Sequence, residues 1–159
     1  MKALAIHIND ASRVVADRER ELASEPGYAL VDGAGILTGW QAYKLGRLKP
    51  RYVSNTFWST LSMEPGSAGV GPGRSAADLA YAHLAALWKP YEKEVSDVLL
   101  VVPARYGAAE LGLFLCLAQE CGMPVRAMVD AAVAASAKPY PGRQLVYVDA
   151  GLHRVGVTP

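Results

Sequence analysis

Asp97-Val98-Leu99-Leu100-Val101-Val102-Pro103 is the run on which the fold turns. Five consecutive apolar residues, rich in β-branched valine and bounded by a charge and a proline, read as a central strand covered on both faces. Residues 107–121 follow with Glu110, Gln119 and Glu120 as their only polar side chains and stop at Gly122, so they predict a mostly buried helix. Beyond it, residues 124–128 predict a second strand, 129–137 an alanine-rich helix and 144–149 a third strand, with 154–158 available as a hairpin partner. The alternation strand, helix, strand, helix, strand favours an α/β sheet with right-handed crossovers.

Upstream, residues 2–8 and 13–18 flank the turn-prone Asn9, Asp10 and Ser12 and predict a hairpin. Residues 28–31 and 35–38 flank Asp32-Gly33, a dipeptide suited to positive φ, and predict a second hairpin. Helix formers fill 40–47 before Pro50, and Gly, Pro and Ser dominate 63–74, a loop. Ser75 with Asp78 three residues on forms a capping box, and Leu79, His83, Leu84, Leu87, Trp88 and Tyr91 recur at helical spacing, so a helix runs to about Trp88. On it His83 is most simply a helix-flank histidine. Trp40, Phe57, Trp58 and Trp88 line a partner surface or, more commonly for large aromatics, fill a core.

A chain of 159 residues that is 52% apolar and 19% charged suits one compact domain. Sixteen basic and fifteen acidic residues give a net charge of +1, without the cationic excess that phosphate-backbone binding needs, so nucleic acid is not expected as a partner. No apolar run reaches the ~20 residues of a spanning helix and no leader is evident, so no membrane span and a cytoplasmic location are expected. Cys116 and Cys121 lie five apart on a predicted helix, about 140° apart around its axis, which argues against a disulfide or shared metal and for buried thiols in a reducing compartment.

Several stretches taken in order look familiar: Val101-Val102-Pro103-Ala104, Gly122-Met123-Pro124-Val125, Ala131-Ala132-Val133-Ala134-Ala135 and Tyr147-Val148-Asp149-Ala150-Gly151. Residues 28–44 and 49–57 match two further motifs, a hairpin "I-A-Y-x-x-D-G-x-x-L-V-G-x-x-A" and "N-P-x-N-T-x-F". Together they resemble the ATPase domain of DnaK-type (heat shock protein 70) chaperones and their actin-like relatives. The resemblance implies an α/β fold of the ribonuclease H-like, actin-like ATPase type, a mixed central sheet flanked by helices. It implies one lobe over residues 1–159, with 28–95 a peripheral insertion and 141–159 the start of a second lobe, which the chain would leave truncated.

The departures bear on function. In the family a "D-x-G-T-T" loop helps hold magnesium and phosphate. Ile6-His7-Ile8-Asn9-Asp10-Ala11 stands there, with His7 in the aspartate slot, Asn9 in the glycine slot and Asp10 in a threonine slot. A carboxylate at Asp10 opposes a triphosphate by like-charge repulsion; the plainer alternative is a solvated turn residue. The second loop, "D-x-G-G-G-T" in the family, keeps Asp149 and Gly151 but continues Leu152-His153-Arg154, which closes the amide cradle that glycines would open. Arg154 offers compensating charge or is a surface arginine on an edge strand. Asp130-Ala131-Ala132 replaces "N-E-P", so the catalytic carboxylate is missing at Ala131 unless Asp130 substitutes, and the phosphate-contacting lysine falls near Leu61.

Hydrolysis by the familiar mechanism is therefore not expected, since phosphoryl transfer depends on these contributors together. No cofactor is expected; the remnant phosphate site, His7, Asn9, Asp10, Asp149, Gly151 and Arg154, would hold ATP or ADP with magnesium only weakly. Two other arrangements are weaker. The segment Gly69 to Ser75 brings glycines to a helix start but lacks a P-loop's first glycine, lysine and leading strand. His7, His153, Asp10 and Asp149 offer mixed metal ligands at no diagnostic spacing. The readings are a noncatalytic scaffold or regulator acting through protein contacts, an ATPase with Asp10, Asp130, Asp149 and Arg154 in displaced roles, and an actin-like assembly protein. A free strand edge at 145–149 or 155–158 favours a homodimer.

Overall fold

The computed structural model describes every residue except 1, 34, 72, 139, 142 and 143. Pro72 of the glycine-rich loop and two residues of the 141–159 stretch thus lie outside the described residues. The central sheet begins with an antiparallel meander of β1 (Lys2–Ile8), β2 (Ser12–Ala16) and β3 (Glu21–Pro26). A second sheet comprises β4 (Ala29–Asp32), β5 (Gly35–Thr38) and β6 (Val53–Ser54), with α1 (Gly39–Gly46) and a short 3-10 turn (Pro50–Tyr52) between the last two. After α2 (Ala76–Trp88), the chain returns to the central sheet as β7 (Val95–Val102), crosses through α3 (Ala108–Glu120) and adds β8 (Val125–Asp130). The central order is β3-β2-β1-β7-β8, with β1, β7 and β8 mutually parallel along the row, so the fold is mixed α/β.

Alternation explains which face packs. In β1, Leu4, Ile6 and Ile8 are buried while Ala3, Ala5 and His7 are less so. The buried set meets Val98, Leu100 and Val102 of β7, Phe57 and Trp58 of the intervening loop, Leu79, Leu84 and Trp88 of α2, and Phe114 of α3 in one apolar cluster. Each such side chain contributes about 1.5–3 kcal/mol on burial. The Ser75 hydroxyl accepts from the Asp78 amide and the Asp78 carboxylate accepts from the Ser75 amide, so the expected capping box starts α2.

Several expectations need correction. β7 is not covered on both faces: Leu99 on its second side is exposed. α3 is not mostly buried either: Phe114, Leu117 and Ala118 are buried, Leu111 and Leu113 pack against the core half-buried, and Cys116 faces solvent while Cys121 is half-buried. β8 and the following helix, α4 (Ala131–Ser136), begin later than their sequence reads, since Asp130 caps α4 and keeps residues 129 and 130 extended. The third strand, β9 (Tyr147–Ala150), does not extend the central sheet. Among the described residues it pairs only with β10 (Val155–Thr158), antiparallel, in a separate two-stranded ribbon. β3 went unread because Glu21-Leu22-Ala23-Ser24-Glu25-Pro26 lacks β-branched residues, as an edge strand guarded by charge and proline tends to.

His83 is also misplaced by its helical spacing: it is fully buried. Its Nδ1 accepts from the indole Nε1 of Trp58 at 3.0 Å, which leaves the ring proton on Nε2. Burial first, and then the Arg13 charge, push its pKa well below the ordinary histidine value. The fully buried guanidinium of Arg13 donates to the His83 carbonyl at 2.7 Å and to Glu25 at 2.9 Å, joining β2, β3 and α2. Burial lowers the Arg13 pKa to about 9 against the raising influence of Glu25, so it stays cationic at neutral pH. Of the four large aromatics, Phe57, Trp58 and Trp88 fill the core and Trp40 is half-exposed.

Candidate functional site

Two turns distant in sequence meet at one carboxylate. The first, between β1 and β2, is shaped by Asn9, whose Oδ1 accepts from the amides of Ala11 at 2.9 Å and Ser12 at 2.8 Å, while its own amide donates to the Ser12 carbonyl. This side-chain turn consumes the amide donors that an anion at this loop would need. It also fixes Asp10 facing inward. Asp10 is fully buried, so it is not a solvated turn residue.

The second turn, between β9 and β10, closes through the Gly151 amide donating to the Arg154 carbonyl at 2.9 Å. The next two amides point at Asp10: Leu152 donates to Oδ1 at 3.0 Å and His153 to Oδ2 at 3.1 Å. Glycine at 151 is required by this approach, because a Cβ there would collide with the Asp10 carboxylate. Gly27 does the same service from behind, where a Cβ would strike the Asp10 backbone carbonyl.

Side chains complete the cage. Ser59 donates its hydroxyl to Asp10 Oδ2 at 2.9 Å and accepts from Arg105 Nη2 at 3.4 Å, so the arginine's charge reaches the carboxylate through the hydroxyl. Arg105 in turn lies over the Tyr106 ring, 5.6 Å from its centroid, and the Tyr106 hydroxyl donates to the Trp58 carbonyl. Burial by itself would raise the Asp10 pKa; the Ser59 hydroxyl, the two amides and Arg105 together outweigh it and hold the carboxyl below its ordinary value. The group is a buried, fully hydrogen-bonded anion.

The remaining expected residues sit around this point without joining it. His7 lies at the end of β1, where burial lowers its pKa despite the raising influence of Asp149, and its buried Nε2 has no hydrogen-bond partner. Asp149 and Arg154 line a cleft of about 170 Å³ with Ala104, Arg105, Val155, Gly156 and Thr158. That volume falls below the roughly 300–1,000 Å³ typical of small-molecule sites. The His153 ring turns away to Asn55, 3.1 Å distant. Asp130 Oδ1 accepts from Ala132 at 2.7 Å and Val133 at 3.4 Å, which commits it to capping α4. Leu61 is buried in the apolar core.

Ser59, Arg105 and Asn55 escaped the sequence reading. Asn55 lies within the stretch 49–57, Ser59 just beyond it and Arg105 directly after Ala104, but nothing in their types announces contacts with the turns at Asp10 and His153. Among the described residues, no three His, Cys, Asp or Glu side chains gather in a way that would hold a metal ion. No described helix is long and apolar enough to cross a membrane. Compared with protein-family models and with curated proteins, the chain matches none.

Proposed function

We propose that this chain is a noncatalytic homologue of the actin-like, DnaK-type ATPase lobe, acting through protein contacts as a scaffold or regulator. The observation that carries the reading is the acceptance of the Leu152 and His153 amides by Asp10. The resemblance says that the loops at 6–11 and 149–154 face one another across a nucleotide cleft; in this chain they do meet, and what lies between them is the protein's own carboxylate. Asn9 and Asp10 thus take up, in the two loops, the backbone donors that a polyphosphate would use. An entering phosphate would have to displace a buried anion and then sit beside it. The reading in which Asp10 and Asp130 take over catalytic duties has no support from their geometry, since both are committed to backbone amides.

A self-associating role draws on a separate observation. The ribbon of β9 and β10 exposes Val148, Val155 and Val157 on one face and is isolated from the central sheet. Two-stranded ribbons are marginal alone, so pairing of this ribbon with that of a second copy forms the proposed homodimer. Light scattering across a concentration series tests it; a monomer at high concentration contradicts it.

Calorimetry with ATP and magnesium, followed by a phosphate-release assay, tests the noncatalytic reading. The expected result is neither saturable heat at micromolar nucleotide nor turnover; micromolar binding with turnover would sink it.

A further inference from the structure

Between Gly39 and Tyr52 the chain carries Lys44, Arg47, Lys49 and Arg51 and no Asp or Glu, a quarter of its sixteen cations in one short segment. The rest of the molecule is net acidic. All four are exposed, and among the described residues only Lys49 pairs with a carboxylate, Asp32 at 2.7 Å. The same segment displays large apolar side chains: Leu48 is 79% exposed, Trp40 52% and Tyr52 50%, with Tyr43 and Leu45 also at the surface. The cause is local. The buried residues of α1 are Gly39, Ala42 and Gly46, and Gly46 lies against Val53, so the bulky residues of the helix keep part of their surface exposed, Trp40 while its indole N–H donates to the Ser24 carbonyl at 3.3 Å. Edge-to-face contacts of Tyr43 with Tyr28 and with Trp40 hold the aromatic part of this surface in place.

We infer that this surface docks on an anionic lipid bilayer. Charge complementarity selects an anionic partner, and the apolar residues select among the anionic ones. A nucleic acid supplies charge but no apolar bed for Leu48, and an acidic protein needs a preformed cleft to receive a side chain that protrudes so far. A bilayer surface supplies phosphates for Arg47 and Arg51 and, a few ångströms deeper, acyl chains for Leu48, with Trp40 and Tyr52 at the boundary where amphipathic rings settle. The face is independent of the Asp10 site and of the ribbon proposed to dimerise.

Vesicle flotation with the full chain tests this, comparing phosphatidylserine-rich vesicles with pure phosphatidylcholine. The protein is expected to float with the first and not the second, and to lose binding as salt rises. Each cation near such a surface contributes roughly fivefold, so Arg47→Gln with Arg51→Gln lowers partitioning by roughly twenty-five-fold. Leu48→Ser weakens it severalfold with no change of charge. Because Trp58 and Trp88 are buried, a blue shift of tryptophan emission on binding reports Trp40. Melting curves of the variants, altered only at exposed side chains, should overlay the wild type. Equal flotation with both vesicles, flotation with neither, or binding to poly-glutamate or duplex DNA in preference to vesicles would overturn the proposal.

Discussion

Asp10 Oδ1 accepts the amide proton of Leu152 at 3.0 Å across 142 positions of chain, and this bond with its neighbour from His153 ties the β9–β10 ribbon to the body of the molecule. Removing the acceptor leaves donors without a partner in a partly buried site. Asp10→Ala should therefore cost about 1.5–3 kcal/mol, the range for hydrogen bonds to a charged group. Chemical denaturation measures it, and hydrogen exchange should show the turn at 151–154 opening faster than the central sheet. An unchanged midpoint and unchanged exchange would mean that the contact carries no stability.

The same carboxylate sets an acid limb. Its folded pKa lies below the unfolded value, so its contribution is complete above the unfolded pKa, near 3.8, and disappears as pH falls through the folded one. Melting temperature measured downward from about pH 5 should fall for the wild type and fall less for Asp10→Ala.

Gly151→Ala places a methyl group against the Asp10 carboxylate. The substitution should destabilise the wild type yet do much less harm in an Asp10→Ala background, where the obstructing atoms are gone. A double-mutant cycle should return a coupling of about 1–3 kcal/mol; additive effects would place the strain elsewhere.

His83 predicts a second pH effect, of the same sign and at higher pH. Because burial depresses its folded pKa well below 6.5, the unfolded chain binds the extra proton, and stability declines as pH drops below about 6.5. His83→Leu should flatten that slope. It should also cost about 1–3 kcal/mol at neutral pH by stranding the Trp58 indole N–H.

The parts legible in the sequence are those that local pattern controls. Alternating apolar, β-forming residues announced β1 and a valine and leucine run announced β7, Asp32-Gly33 announced the hairpin of β4 and β5, and Ser75 with Asp78 announced the start of α2. The stretch at 144–149 revealed that a strand was present but not where it pairs, because an apolar run encodes extension and burial, not a partner. Long-range polar contacts were invisible for a similar reason. Arg13 resembles any strand arginine until His83 and Glu25 surround it, and Asp10 resembles any turn aspartate until Gly151 opens room for Leu152 and His153 to reach it. Of Asp149, Gly151 and Arg154, grouped with Asp10 by their loops, Gly151 lies against the carboxylate and the two amides after it donate to it, while Asp149 and Arg154 line the adjoining cleft.

The central claim, that Asp10 holds the donors a phosphate would need, is tested most directly by nitrogen-edited NMR of the Leu152 and His153 amides. Both proton resonances should lie downfield at neutral pH, move together as Asp10 is protonated in acid, and stay still when magnesium and ATP are added in large excess. Saturable shifts of both amides at micromolar ATP, with Asp10 still ionised, would contradict it.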